Sequence, residues 1–144
     1  MALIIREATT ADAAAISALA VELGYDVRPE MVARNFAALL ALDQPALVAE
    51  EKEIVGVLTW HITPVLHRPG PVGRITMLVV SAAWRGRGIG RALIMDVEAR
   101  LADRGCSMIE VTSRIDLKEA HAFYARLGYQ MTSYRFAKKP PGQS

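Results

Sequence analysis

Between residues 85 and 90 the chain reads Arg-Gly-Arg-Gly-Ile-Gly, and Arg91 follows at once. Glycines let a backbone approach a bulky anion with no Cβ in the way. The stretch comes after an apolar run, Ile75 to Val80, and leads into Leu93, Val97 and Leu101 at fourfold spacing. It therefore reads as a turn from a buried strand into a helix. The first turn of a helix offers unpaired N–H groups, and its aligned peptide dipoles place partial positive charge there. Arg85, Arg87 and Arg91 add full charges around the same spot. The chemistry this predicts is the binding of a phosphate or pyrophosphate. The plainer alternative is a turn that needs flexible residues and binds nothing.

Other phosphate-binding patterns do not fit. A P-loop needs a lysine and a hydroxyl residue after its last glycine, and a dinucleotide fingerprint needs Gly-x-Gly-x-x-Gly, whereas these glycines fall at 86, 88 and 90. Arg-Gly alternation also marks disordered RNA-binding segments, but here it occurs once inside a well-patterned chain. Of the three histidines, His61 lies mid-strand as a packed or surface residue or a base, and His67 lies in a proline-rich loop. No clustered His/Asp spacing supports a metal, so none is expected. Cys106 follows a helix end and reads as a small buried filler.

The elements that must position the turn follow from periodicity. Leu3 to Arg6 forms a first strand, and Thr9 with Asp12 makes a capping-box-like helix start. Ile16, Leu19, Ala20 and Leu23 give one apolar stripe that ends at Gly24. Pro29 opens a second helix with Val32, Phe36, Leu39 and Leu40 on its buried side. Strands follow at Ala46–Glu50 and Ile54–Thr63, then a loop from Pro64 to Gly73, then the strand Ile75–Val80. Beyond the turn and its helix come a strand from Met108 to Thr112 and a helix carrying Ala120, Phe123, Tyr124 and Leu127, closed by Gly128. A last strand is expected near Tyr129 to Phe136. The reading is one mixed α/β domain over residues 1–137 with a flexible tail at 138–144.

Composition sets the outer bounds. The 144 residues are 52% hydrophobic and 22% charged, which is neither disordered nor low-complexity. A net charge of +2 is too small for a general polyanion binder, so no nucleic-acid partner is expected. The longest apolar run, Phe36 to Leu42, is far short of a membrane span, and Met1–Ile5 meets Arg6 and Glu7 at once, unlike a signal peptide. With one cysteine there is no disulfide framework. A cytoplasmic protein is the expectation.

The stretch Leu78-Val79-Val80-Ser81-Ala82-Ala83-Trp84-Arg85-Gly86-Arg87-Gly88-Ile89-Gly90 resembles the acetyl-CoA motif of the GNAT superfamily of N-acetyltransferases, Arg/Gln-x-x-Gly-x-Gly/Ala after a strand. Ala120-His121-Ala122-Phe123-Tyr124 through Gly128-Tyr129 resembles that family's second signature, A-x-x-F-Y-x-x-x-G-F/Y. Glu110-Val-Thr-Ser, Ser133-Tyr-Arg-Phe136, and His61 and His67 ahead of Gly73 are similar to the branch that includes the aminoalkylphosphonate N-acetyltransferases. The resemblance implies an α/β fold: a mostly antiparallel twisted sheet with a splayed parallel pair, flanked by about four helices.

It further implies direct transfer of acetyl from acetyl-CoA to a primary amine, with a small molecule as acceptor. Leu78, Val79 and Val80 would hold the pantetheine arm, and residues Arg85, Gly86, Arg87, Gly88, Ile89, Gly90 and Arg91 the pyrophosphate. The N–H of Val80 would stabilise the oxyanion, and Tyr124 would protonate the departing thiolate. The strand stretch Arg74-Ile75-Thr76-Met77 holds none of the carboxylates that many relatives use as base, which leaves water relayed from His61, Glu110 or a backbone carbonyl. Tyr25 and Asp26, between the first two helices, would line the acceptor pocket, with His61 and His67 as further contacts. Homodimers are common among relatives. A protein lysine or N-terminal acetyltransferase and a non-catalytic CoA sensor remain the alternatives.

Overall fold

Apolar residues at period two and period 3.6 sort this chain into a sheet with helices on its faces. The computed structural model describes residues 2–143. These fall into two compact units that part between Val111 and Thr112 in the chain.

In the first unit five strands lie in sequence order: β1 (Ile4–Glu7), β2 (Leu47–Glu50), β3 (Ile54–Thr63), β4 (Val72–Val80) and β5 (Met108–Val111). The first four pair antiparallel and β5 joins β4 in parallel. Helices α1 (Ala13–Glu22) and α2 (Pro29–Ala41) cover one face, where Ile16, Leu19 and Phe36 pack on Val48, Val57 and Val79. The capping box that the sequence suggests forms on the 3-10 turn Thr10–Asp12 leading into α1: the Thr9 N–H donates to Asp12 Oδ2 at 2.8 Å, and Asp12 also takes Arg6 at 2.9 Å. Arg6 beside it holds the Asp12 carboxyl below the usual carboxylate range.

Helix α3 (Ile89–Asp103) covers the other face with Leu93, Ile94, Val97 and Leu101, all fully buried. Two glycines set how closely it lies. A Cβ on Gly73 of β4 would stand 2.7 Å from both Leu101 Cδ atoms, and one on Gly56 of β3 would stand 3.1 Å from Leu93 Cδ1. Gly73→Ala is therefore expected to lower stability by about 1–3 kcal/mol, the usual cost of overpacking. Urea unfolding measures it, and an unchanged midpoint would mean that α3 is free to shift outward.

Three expectations need correction. Leu40 is not on the buried side of α2; it is 46% exposed, because α2 buries only Phe36 fully. The loop before β4 ends at Pro71, since Val72 and Gly73 already pair with Thr63 and Ile62. In β4 the apolar run is not covered throughout: Thr76 is exposed at a bulge.

The second unit holds α4 (Lys118–Arg126), closed by Gly128 at φ +93°. The strand expected at Tyr129–Phe136 does not form. Its Met131, Tyr134 and Phe136 side chains are almost fully exposed, and no strand among the described residues pairs with them. Alternating residues make a strand only where a ladder receives them.

Candidate functional site

Strand β4 is two-sided at its start and one-sided at its end. Val72 to Ile75 pair with Met108 to Val111 of β5, but from Met77 to Val80 the strand pairs only with β3. The parting coincides with the bulge: Thr59 faces Met77 and Trp60 faces Ile75, which leaves Thr76 as the extra residue. Its hydroxyl meets that of Thr59 at 2.6 Å.

The direction of the free backbone groups follows from the ladder. The Ser81 N–H donates to the Val55 carbonyl at 2.8 Å, so the pair 55/81 is a hydrogen-bonded one. Antiparallel pairs alternate, which makes 57/79 bonded and 58/78 and 56/80 non-bonded. The N–H and C=O groups of Leu78 and Val80 thus point away from β3, to the open side. Val79 instead spends its backbone on Val57 and its side chain in the core, 2% exposed.

Past β4 a single 3-10 turn, Ala82–Trp84, brings the chain to the glycine turn. Its first N–H, of Ala82, is held by Glu22 Oε1 of α1 at 3.0 Å. Arg85 Nε reaches back to the Val80 carbonyl at 3.2 Å, and the Arg87 guanidinium lies 4.7 Å over the Trp84 ring. Gly86 and Gly88 adopt φ +77° and +81°, the left-handed region that other residues enter at a cost. No heavy atom lies within 4 Å of where their Cβ atoms would be, so the surface over them is open.

Gly88 is the N-cap of α3, no side chain caps that end, and no acidic residue stands in its first turn. The helix start therefore presents N–H groups and positive dipole without a built-in anion. Arg91 is exposed beside it, while Ile89 turns its side chain into the core.

The other expected residues lie elsewhere in this unit. Asp26 lines an open cleft of about 400 Å³ with Arg28, Glu30, Met31 and Arg34, and Tyr25 next to it is 47% exposed. His67 is exposed in the loop after β3. His61 sits half-buried on β3 with Nδ1 3.0 Å from Thr63 Oγ1. Burial, and then the neighbouring Arg74 charge, push its pKa below the ordinary histidine value. Cys106 is half-buried rather than the buried filler the sequence suggests, and what burial it has raises its thiol above the usual value.

One arrangement is absent from the sequence reading. His61, Arg74 and Glu110 are cross-strand neighbours in register on β3, β4 and β5, and Arg74 donates to Glu110 Oε2 at 2.9 Å. Nothing local in the sequence signals a contact between residues so far apart in the chain. Among the described residues no group of three or more His, Cys, Asp or Glu side chains could hold a metal ion, and no helix is long and apolar enough to cross a membrane.

In the second unit Tyr124 stands on α4 with its ring edge-on to Phe123 at 5.2 Å and to Tyr129 at 5.9 Å. The Tyr129 N–H closes the helix end on the Tyr124 carbonyl at 3.0 Å.

Comparison with known proteins bears on this geometry. The family model described as Acetyltransferase (GNAT) family matches residues 13–129. An aminoalkylphosphonate N-acetyltransferase of Salmonella typhimurium is 32% identical over 137 residues, 93% of this chain and 89% of that protein. An aminoglycoside N(6')-acetyltransferase type 1 of Stenotrophomonas maltophilia is 33% identical over 134 residues, 89% of this chain and 86% of that one. Among solved structures, an aminoglycoside N-acetyltransferase in complex with CoA superposes with TM-score 0.86 at 16% identity, covering 97% of this chain and 95% of that one, a likeness of fold.

Proposed function

From a chain that belongs to the acetyltransferase (GNAT) family, and so is an acyltransferase, we propose an enzyme that moves acetyl from acetyl-CoA to the primary amine of a small molecule. The observation that carries this reading is one continuous surface: the outward backbone of Leu78 and Val80 runs into the uncapped start of α3. An extended pantetheine arm can add to that edge as a further strand would. The diphosphate then meets the N–H groups from Arg87 to Arg91 and the charges of Arg85, Arg87 and Arg91. A carbonyl oxygen has two lone pairs, so that of Val80 can keep its Arg85 contact while it receives an amide N–H.

Along this edge the thioester carbonyl comes against one of the two outward N–H groups, that of Val80 or, two residues nearer the bulge, that of Leu78. Such a donor stabilises the negative oxygen of a tetrahedral intermediate more than it does the ground-state carbonyl. Holding the amine and the thioester together removes up to roughly 7–11 kcal/mol of barrier relative to a chance encounter. Tyr124 carries the acid role, protonating the thiolate as it leaves. One acetyltransferase domain spans residues 1–137 in this reading. A small acceptor is favoured because two relatives that match most of this chain are named for small amine-bearing molecules.

The test is calorimetry with CoA, followed by thiol release from acetyl-CoA across a panel of an aminoalkylphosphonate, an aminoglycoside and a lysine peptide. Micromolar CoA binding with turnover of a small amine is expected. Turnover of the peptide alone would make it a protein acetyltransferase, and CoA binding without turnover of any amine would make it a sensor.

A further inference from the structure

At neutral pH a primary amine is almost wholly ammonium and must lose a proton before it can attack. Strand β4 offers no carboxylate for this, since Arg74-Ile75-Thr76-Met77 carries none. The structure offers another group. On the face where α1 and α2 lie, their apolar cover rests on Val57 and Val79. Farther along the same strands the face turns polar, with Thr59, His61 and Thr63 on β3, Arg74 and Thr76 on β4, and Glu110 on β5. His61 shares this face because the alternate residues Gly56 and Trp60 face α3 and its C-terminal Arg104. Its cross-strand partner Arg74 stands two residues, roughly 7 Å, from the bulge where β4 becomes free, so an amine within reach of His61 attacks a thioester held at Leu78, the outward N–H nearer the bulge.

Resting on the acetyltransferase reading, we propose that His61 is the base that deprotonates the acceptor ammonium, in place of a carboxylate on β4. With Nδ1–H donating to Thr63 Oγ1, Nε2 keeps its lone pair and the ring is held in one orientation. One ammonium proton passes to His61 Nε2 and on to solvent. The freed nitrogen pair forms the C–N bond as the C–S pair leaves with sulfur. A second nitrogen proton ends on that sulfur as thiol, and the third stays on the amide.

The surroundings suit a ring that is neutral before the reaction. Arg74 on β4 repels a proton there, and Glu110 on β5 is bound to Arg74. Glu22 of α1 is engaged by the Ala82 N–H, Glu50 of β2 by Arg6, and α3 lies on the opposite face. The loop after β3 adds His67 and Arg68. Because its pKa is lowered, His61 becomes competent below the ordinary histidine value near 6.5 and stays so at higher pH.

The experiment is the pH profile of kcat/KM for His61→Gln against the wild type, with acetyl-CoA and the best amine of the panel. For an amine of pKa about 10, the wild type is expected to be level from about pH 6.5 to 9. The variant should climb about tenfold per pH unit, because only free amine reacts, and lie about 100-fold below at pH 7. CoA affinity should be unchanged, and added imidazole should restore part of the rate in His61→Ala. Parallel profiles would overturn the proposal, while a wild type with no turnover of any amine would overturn the acetyltransferase reading beneath it. Should the His61 variants lose CoA binding through misfolding, Thr63→Val decides instead. Loss of the Nδ1 partner should lower kcat about tenfold at constant KM, and an unchanged kcat would count against His61.

Discussion

Gly88→Asp is expected to weaken CoA binding at least 100-fold while the protein stays folded. The residue caps α3 at φ +81° with open space where its Cβ would go, so the new side chain starts without a clash. Backbone strain alone costs about 1 kcal/mol, and aspartate tolerates this region better than most residues. The carboxylate would lie against the unpaired N–H groups of the first turn, where it suits the helix dipole. It would take the place proposed for the diphosphate and repel it, so helix stability and ligand affinity should move apart. Gly88→Asn separates shape from charge: the same atoms without the negative charge should cost about tenfold, mostly by occupying space. Calorimetry with CoA reads both, and thermal unfolding checks the fold. Equal losses in the two variants would remove electrostatics from the account, and no loss in either would remove the glycine turn from the site.

That turn was legible because its chemistry is local. Seven consecutive residues, Arg85 to Arg91, carry the charges, the positive-φ positions and the helix start, and the apolar runs on either side declare a strand and a helix. The capping box ahead of α1 was legible for the same reason, with Thr9 and Asp12 three residues apart. What the sequence hid depends on register. Arg74 meets Glu110 across 36 residues and His61 meets Arg74 across a hairpin, contacts set by the bulge at Thr76 and by where β5 joins. The segment Tyr129–Phe136 shows the converse failure, since alternation declares a wish to pair but names no partner. Leu40 lies on the apolar stripe yet stays 46% exposed, because periodicity shows which residues share a helix side but not how much of that side is covered, and α2 buries only Phe36 fully. The free edge at Leu78 and Val80 came from likeness to a family, and the geometry then showed why those two residues alternate with the buried Val79.

Tyr124→Phe is expected to lower kcat about 100-fold, within the range general acids contribute, and to leave CoA affinity within a factor of two. Phenylalanine keeps the ring, and with it the edge-on contacts to Phe123 and Tyr129, so loss of the hydroxyl is the whole change. A free phenol near pKa 10 is a weaker acid than a thiol near 8.5, which makes full proton transfer uphill by roughly 2 kcal/mol. That is small against the barrier, and a hydrogen bond that strengthens as charge gathers on sulfur gives much of the same benefit. Because the help comes only as the C–S bond breaks, the deficit should fall on kcat and kcat/KM alike, with KM unmoved. A rise in KM at constant kcat would instead make Tyr124 a wall of the binding site. Wild-type values for both would make it packing on α4, and the thiolate would then have to leave with solvent as its proton source.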